Sequence, residues 1–189
     1  VRAKTLLSRV KRWKEQGLTP EDVRDRVSEM TDVVDHALAA RVYHEYQLLL
    51  RSRRQADYGD LCMMATQLFI SHPEVLARYR WKLRHVLVDE YQDTSPAQVQ
   101  LLKALVLGNP SSLADSTREG IETRLDRHPG LGVSVFCAGD EDQHIYGWRG
   151  TTVDHLHSFE DDFPGAVRCT LTQTHRLPVH ILRSATGLM

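Results

Sequence analysis

Two short apolar runs, each ending abruptly in acidic residues, constrain this chain more than any other feature. His85-Val86-Leu87-Val88 runs straight into Asp89-Glu90, and Val133-Ser134-Val135-Phe136-Cys137-Ala138 runs into Gly139-Asp140. A third run, Ala166-Val167-Arg168-Cys169-Thr170-Leu171, follows. Such runs are short for helices and suit buried strands. Helical patterns separate them, at about 97–107 and 151–160. Strand–helix alternation of this kind predicts an α/β fold with a parallel sheet between flanking helices. Right-handed crossovers then bring the C-terminal ends of the strands to one edge, where open sheets bind their ligands. The acids fall on that edge.

Before His85 the pattern is helical throughout. Leu6, Leu7, Val10 and Trp13 recur at helical spacing, and Val34, Leu38, Val42, Tyr46 and Leu49 continue it from about Met30 to Arg53. Thr19-Pro20-Glu21-Asp22 reads as a helix start, with a capping hydroxyl, a proline in the first turn and acids that suit the helix dipole. Asp57 and Asp60 open another helix, and Ser71-His72-Pro73-Glu74 ends one helix and begins the next. The stretch 108–132, with Pro110 and Pro129, reads as an inserted surface loop. The expected division is an all-helical subdomain over 1–57 and an α/β domain over 58–189.

Composition narrows the partners. Residues 1–54 hold 12 Lys/Arg against 8 Asp/Glu, and the remainder 12 against 17, so a mildly basic helical region precedes an acidic one. That asymmetry suits nucleic acid and equally a solvated helical face. No apolar run approaches the roughly 20 residues that span a bilayer, so no membrane is expected. Cys62, Cys137 and Cys169 form no CxxC pair and read as buried free thiols of a cytoplasmic protein. The 10 histidines are scattered without a metal-site spacing.

Val86-Leu87-Val88-Asp89-Glu90 has the form of a Walker B strand. Asp89 at the sheet edge suits Mg²⁺, a hard cation that shares its oxygen ligands with phosphates, and Glu90 can polarise an attacking water. Alone, this string also fits a strand ending in a solvated turn. It is not alone. Asp89-Glu90-Tyr91-Gln92-Asp93-Thr94-Ser95-Pro96-Ala97-Gln98 resembles motif II of the UvrD/Rep/PcrA branch of superfamily 1 helicases. Gly139-Asp140-Glu141-Asp142-Gln143-His144-Ile145-Tyr146-Gly147-Trp148-Arg149-Gly150 resembles motif III, and Leu171-Thr172-Gln173-Thr174-His175-Arg176-Leu177-Pro178 resembles motif IV. Leu6 to Val23 resembles the start of the helical insertion called subdomain 1B. Tyr43 to Gln47 and Ala56 to Leu61 resemble the return to the motor domain, with Gly59 where an Asp is usual.

The resemblance implies a partial RecA-like sheet and a set of roles. Asp89 would hold Mg²⁺ and Glu90 would act as general base. Gln143 and Arg176 would meet the γ-phosphate of ATP, and Gln92 and His175 belong with the nucleotide-binding set. Tyr146 and Trp148 would stack on DNA bases, a sequence-tolerant contact, although Trp148 read without the family serves equally as a core anchor. Arg149 would couple the two sites through ion pairs. Motif IV departs from its usual Asn-Tyr-Arg-Ser: Thr174, His175 and Leu177 flank Arg176, so adenine stacking falls to a smaller ring.

No GxxxxGK[ST] occurs in the chain. The expectation is therefore a piece of an ATP-dependent 3′-to-5′ translocase of repair or recombination, inactive by itself. Its partners would be single-stranded DNA, single/double-strand junctions and the remainder of the helicase chain, and an exposed sheet edge would favour self-association. Two other readings stay open: a helicase–nuclease subunit of the AddA/RecB type, and a non-catalytic DNA- or partner-binding module.

Overall fold

The computed structural model describes residues 2–26, 33–108, 132–147 and 151–187. Helix α1 (Ala3–Glu15) carries the first apolar stripe. Helix α2 (Pro20–Arg26) starts where the sequence places it: Asp22 N donates to Thr19 Oγ1 at 3.1 Å and Thr19 N donates to Asp22 Oδ2 at 2.8 Å. Helix α3 (Val33–Ser52) fills most of the span expected from Met30 to Arg53, whose first residues lie outside the described ones. Val10, Trp13, Val23, Ala39, Ala40 and Tyr43 form a core between these three helices, with the Trp13 and Tyr43 rings stacked 6.1 Å apart. Full burial of each large side chain contributes roughly 1.5–3 kcal/mol.

Helix α4 (Tyr58–Ser71) begins with a reciprocal cap. Asp60 N donates to Asp57 Oδ1 and Asp57 N donates to Asp60 Oδ2, both at 3.0 Å. The same two carboxylates take a buried lysine from α1. Lys14 Nζ lies 2.8 Å from Asp57 Oδ2 and 2.9 Å from Asp60 Oδ1, with Lys14 only 1% exposed. Gln47 Nε2 donates to Asp60 at 2.8 Å and the Tyr46 hydroxyl to Asp57 at 2.9 Å, so the carboxylates have further donors. Buried charge persists only when paired in this way. A Cβ on Gly59 would meet Lys14 Cβ and Cδ at 2.9 Å, which explains why this chain has no side chain there.

Helix α5 (Pro73–Lys82) and helix α6 (Pro96–Leu107) complete a layer with α4 around Phe69, Leu76 and Ala104. Ser95 and Gln98 cap α6 reciprocally, and the Arg80 guanidinium donates to the Leu105 and Val106 carbonyls near its end.

Strands β1 (His85–Val88) and β2 (Ser134–Cys137) pair in parallel, His85 opposite Ser134 and Val88 opposite Cys137. Val86, Val88, Val135 and Cys137 pack on the cluster that holds Tyr91, Val99, Leu102, Val106 and Phe163. The sequence predicts strands covered on both faces. Among the described residues only this face is covered, and Leu87 and Phe136 on the other are 73% and 63% exposed.

Two further expectations are corrected. Ala166–Leu171 is not a strand; Val167 and Leu171 are 84% and 95% exposed. A strand exists through its ladder, and no described strand lies alongside to complete one. The helix expected over 151–160 is instead two single turns, α7 (Asp154–His157) and α8 (Phe159–Asp162), divided at Ser158. The Ser158 hydroxyl bonds Asp162 Oδ2 at 3.3 Å, and Phe159 and Phe163 turn together into the core with ring centroids 4.8 Å apart. The last helix, α9 (Val179–Thr186), follows an exposed stretch. No helix among the described residues is long and apolar enough to cross a membrane.

Candidate functional site

The two strand ends are tied together beyond the sheet itself. Ala138 N donates to Val88 O and Tyr91 N to Ala138 O, both at 2.9 Å. Between these bonds the chain turns sharply at Glu90, whose backbone is left-handed at φ 52, ψ 45. That conformation is uncommon for a residue with a side chain and clusters at functional sites. It lets Tyr91–Asp93 close a 3₁₀ turn directly under the strand. Tyr91 is fully buried, its ring edge-on to Phe159 at 5.4 Å, and burial raises its hydroxyl pKa well above the usual value.

Asp89 stands exposed at the end of β1, and its Oδ1 accepts from Glu90 N at 3.0 Å. Glu90 is exposed as well, with Oε2 accepting from Gln92 Nε2 at 2.7 Å. Gln92, which the resemblance implies among the nucleotide-binding residues, is 1% exposed. Its other end, Oε1, accepts from Asp140 N at 3.1 Å. The approach is close: a Cβ on Gly139 would meet Gln92 Oε1 and Leu156 Cδ1 at 3.0 Å.

Asp140 caps the 3₁₀ turn Glu141–Gln143, its Oδ1 accepting from Asp142 N at 3.1 Å and its Oδ2 from Gln143 Nε2 at 2.6 Å. Glu90, Gln92, Asp140 and Gln143 are thus joined end to end by hydrogen bonds. Beside them His144 Nδ1 lies 3.7 Å from Asp93 Oδ1, too long for a hydrogen bond and close enough for an ion pair if the imidazole is protonated. Sequence reasoning gave Glu90 and Gln143 roles and placed Asp140 at the ligand edge without one. The signal for its role was there: an Asp shortly after a strand and just before a short turn is a cap.

The remaining expected residues are less closely assembled. Tyr146 is half-buried, while Trp148 and Arg149 lie outside the described residues. His175 and Arg176 sit exposed in a bend before α9, and no hydrogen bond or ion pair among the described residues joins them to the carboxylates. The thiols differ from expectation: Cys62 and Cys137 are half-buried, and Cys169 is exposed because its run is unpaired. Burial pushes the Cys137 thiol up to about 11, which keeps it protonated and inert. A cavity of about 770 Å³ between α2 and α3, lined by Pro20, Leu38, Arg41 and Leu49 among others, contains none of the residues assigned to the chemistry.

No three His, Cys, Asp or Glu side chains gather as a metal cage among the described residues. Mg²⁺ does not require one. It retains several waters and takes one or two carboxylates plus substrate phosphates. A single exposed carboxylate at a strand end therefore fits a hydrated Mg²⁺ shared with a nucleotide.

Comparison with known proteins gives the same class. Residues 1–164 match the family of the UvrD/REP helicase N-terminal domain. The chain is 36% identical over 180 residues to a probable DNA helicase II homolog of Rickettsia felis, covering 95% of this chain and 24% of that protein. It is 32% identical over 186 residues to the ATP-dependent DNA helicase PcrA of Leuconostoc citreum (98% and 21%). Against the ATP-dependent DNA helicase UvrD1 of Mycobacterium leprae it is 35% identical over 150 residues (79% and 18%). The chain belongs to the UvrD/REP helicase family. It spans about a quarter or less of the length of these curated relatives.

Proposed function

We propose that this chain is part of a RecA-like motor that couples ATP hydrolysis to 3′-to-5′ movement along single-stranded DNA in repair or recombination. One observation carries the reading. The Asp89-Glu90 pair leaves the end of one parallel strand, and hydrogen bonds join it to the turn leaving the next, in a member of the UvrD/REP family. Asp89 would hold a hydrated Mg²⁺, which supplies charge neutralisation at the phosphates. Glu90 orients the attacking water and accepts its proton. Gln143 and Arg176 reach the γ-phosphate, with Arg176 stabilising charge as the phosphoryl group transfers. His175 lies against the base of ATP, and Tyr146 and Trp148 stack on DNA, with Arg149 coupling the two sites.

The backbone cradle for the phosphates is not encoded in these residues, so the chain on its own turns over no ATP. Single-stranded DNA and its junctions with duplex are the expected partners of the whole protein. The decisive assay is ATP turnover by the full-length protein with and without oligo-dT, wild type against Glu90→Gln. DNA-stimulated turnover that Glu90→Gln lowers on the order of 10²-fold or more supports the reading, since a positioned base contributes that much. Wild-type protein without DNA-stimulated turnover overturns it in favour of a binding module.

A further inference from the structure

We infer that Gln92 is the positioning residue that holds the general base and ties it to the γ-phosphate-sensing turn. This rests on the motor reading and deepens it. Gln92 is buried, 1% exposed, between the ends of the two strands. Both ends of its amide are committed with the polarity each neighbour requires. The NH₂ donates to Glu90 Oε2 at 2.7 Å, and the carbonyl accepts the Asp140 amide at 3.1 Å. A side-chain amide is uncharged and carries a donor that suits a carboxylate at one atom and an acceptor that suits an N–H at the other.

Glu90 has particular need of such a partner. Its backbone is left-handed and its side chain exposed, so Gln92 supplies the side-chain hydrogen bond that fixes the carboxylate. At the far end, the same amide fixes Asp140, which in turn holds Gln143 at 2.6 Å. Gly139 leaves the room this contact needs, since a Cβ there would press on Gln92 Oε1 at 3.0 Å. Movement of the Glu141–Gln143 turn is thereby transmitted through one buried side chain to the base. A packing role would require only the shape of Gln92; positioning requires its hydrogen-bonding groups.

The test separates these roles with Gln92→Met, which keeps the length and loses both hydrogen bonds, and Gln92→Glu, which keeps the acceptor and sets a second carboxylate against Glu90. ATP turnover is measured in the full-length protein with oligo-dT, alongside Glu90→Gln and the double variant Glu90→Gln/Gln92→Met. The expected result is a kcat lowered on the order of 10–100-fold with KM for ATP little changed. The double variant is expected to be no slower than Glu90→Gln alone, because a residue that acts through Glu90 has nothing left to position.

Wild-type kcat in Gln92→Met overturns the inference while leaving the motor reading intact. So does a loss confined to KM, or one that multiplies with Glu90→Gln. If thermal unfolding shows that Gln92→Met does not fold, Gln92→Glu decides by the same kcat and KM criteria. A wild-type protein without DNA-stimulated turnover overturns both the motor reading and this inference.

Discussion

Glu90 carries a cost that its neighbours do not. A left-handed backbone is disfavoured by roughly 1–2 kcal/mol for a residue with a Cβ, and glycine escapes it. Removing the carboxylate in two ways therefore gives two different stabilities. Glu90→Gly is expected to be more stable than Glu90→Ala by on the order of 1 kcal/mol, with both inactive, and urea unfolding of the two proteins checks it. Equal midpoints would mean that the turn relaxes and holds no strain. At this scale the sequence was informative about chemistry and poor on conformation. Asp89-Glu90 after an apolar run marks a site, but nothing in the string marks Glu90 as left-handed, because no glycine stands there. Nor does it reveal that Gln92 turns inward, since that depends on β2, brought alongside from more than forty residues away.

Helix ends were legible where caps and helix use the same residues. Thr19-Pro20 and Asp57 with Asp60 both start helices as read, each with a reciprocal side-chain bond. The dual duty of Asp57 and Asp60 was not legible, because their lysine comes from α1. Breaking that contact is expected to be severe. Lys14→Ala leaves Asp60, itself 2% exposed, without its cation and should cost about 3–5 kcal/mol in urea unfolding. Acid probes the same cluster. Burial by itself raises the Asp57 pKa, but hydrogen bonds from Lys14 and Tyr46 and the Lys14 charge outweigh it and hold the carboxyl below its ordinary value. A depressed carboxyl adds stability that is fully present above its unfolded pKa of about 3.9 and is lost as pH falls through the folded value. Below about pH 4, wild type should therefore lose stability more steeply than Asp57→Asn. Parallel slopes in urea midpoints against pH would exclude the linkage.

Among the described residues, helices pack on one face of the sheet and leave the other open. Parallel strands flanked by helices follow from the alternating runs, and β1 and β2 appear where the runs place them. The run at 166–171 shows the limit of that reasoning: apolar composition makes a strand possible, and only a neighbour makes it one. Leu87 and Phe136 on the open face, and Val167 and Leu171 in the exposed stretch before α9, are apolar side chains of the kind through which an isolated chain associates. Light scattering of this chain alone should show species larger than a monomer, and Leu87→Ser/Phe136→Ser should shift the mass towards one. A monomeric wild type would set that expectation aside.

The buried Lys14 also sets an order of events. Its two carboxylates lie 43 and 46 residues further along. A ribosome making this protein must therefore add all of α2 and α3 and the start of α4 before the ammonium group can leave water, since an unpaired charge does not bury. The first helices can meet through Val10, Trp13 and Tyr43, yet they stay unlocked until that late arrival. Nascent chains stopped short of Asp57 would present the α1 face to chaperones and proteases in a form the finished protein never shows.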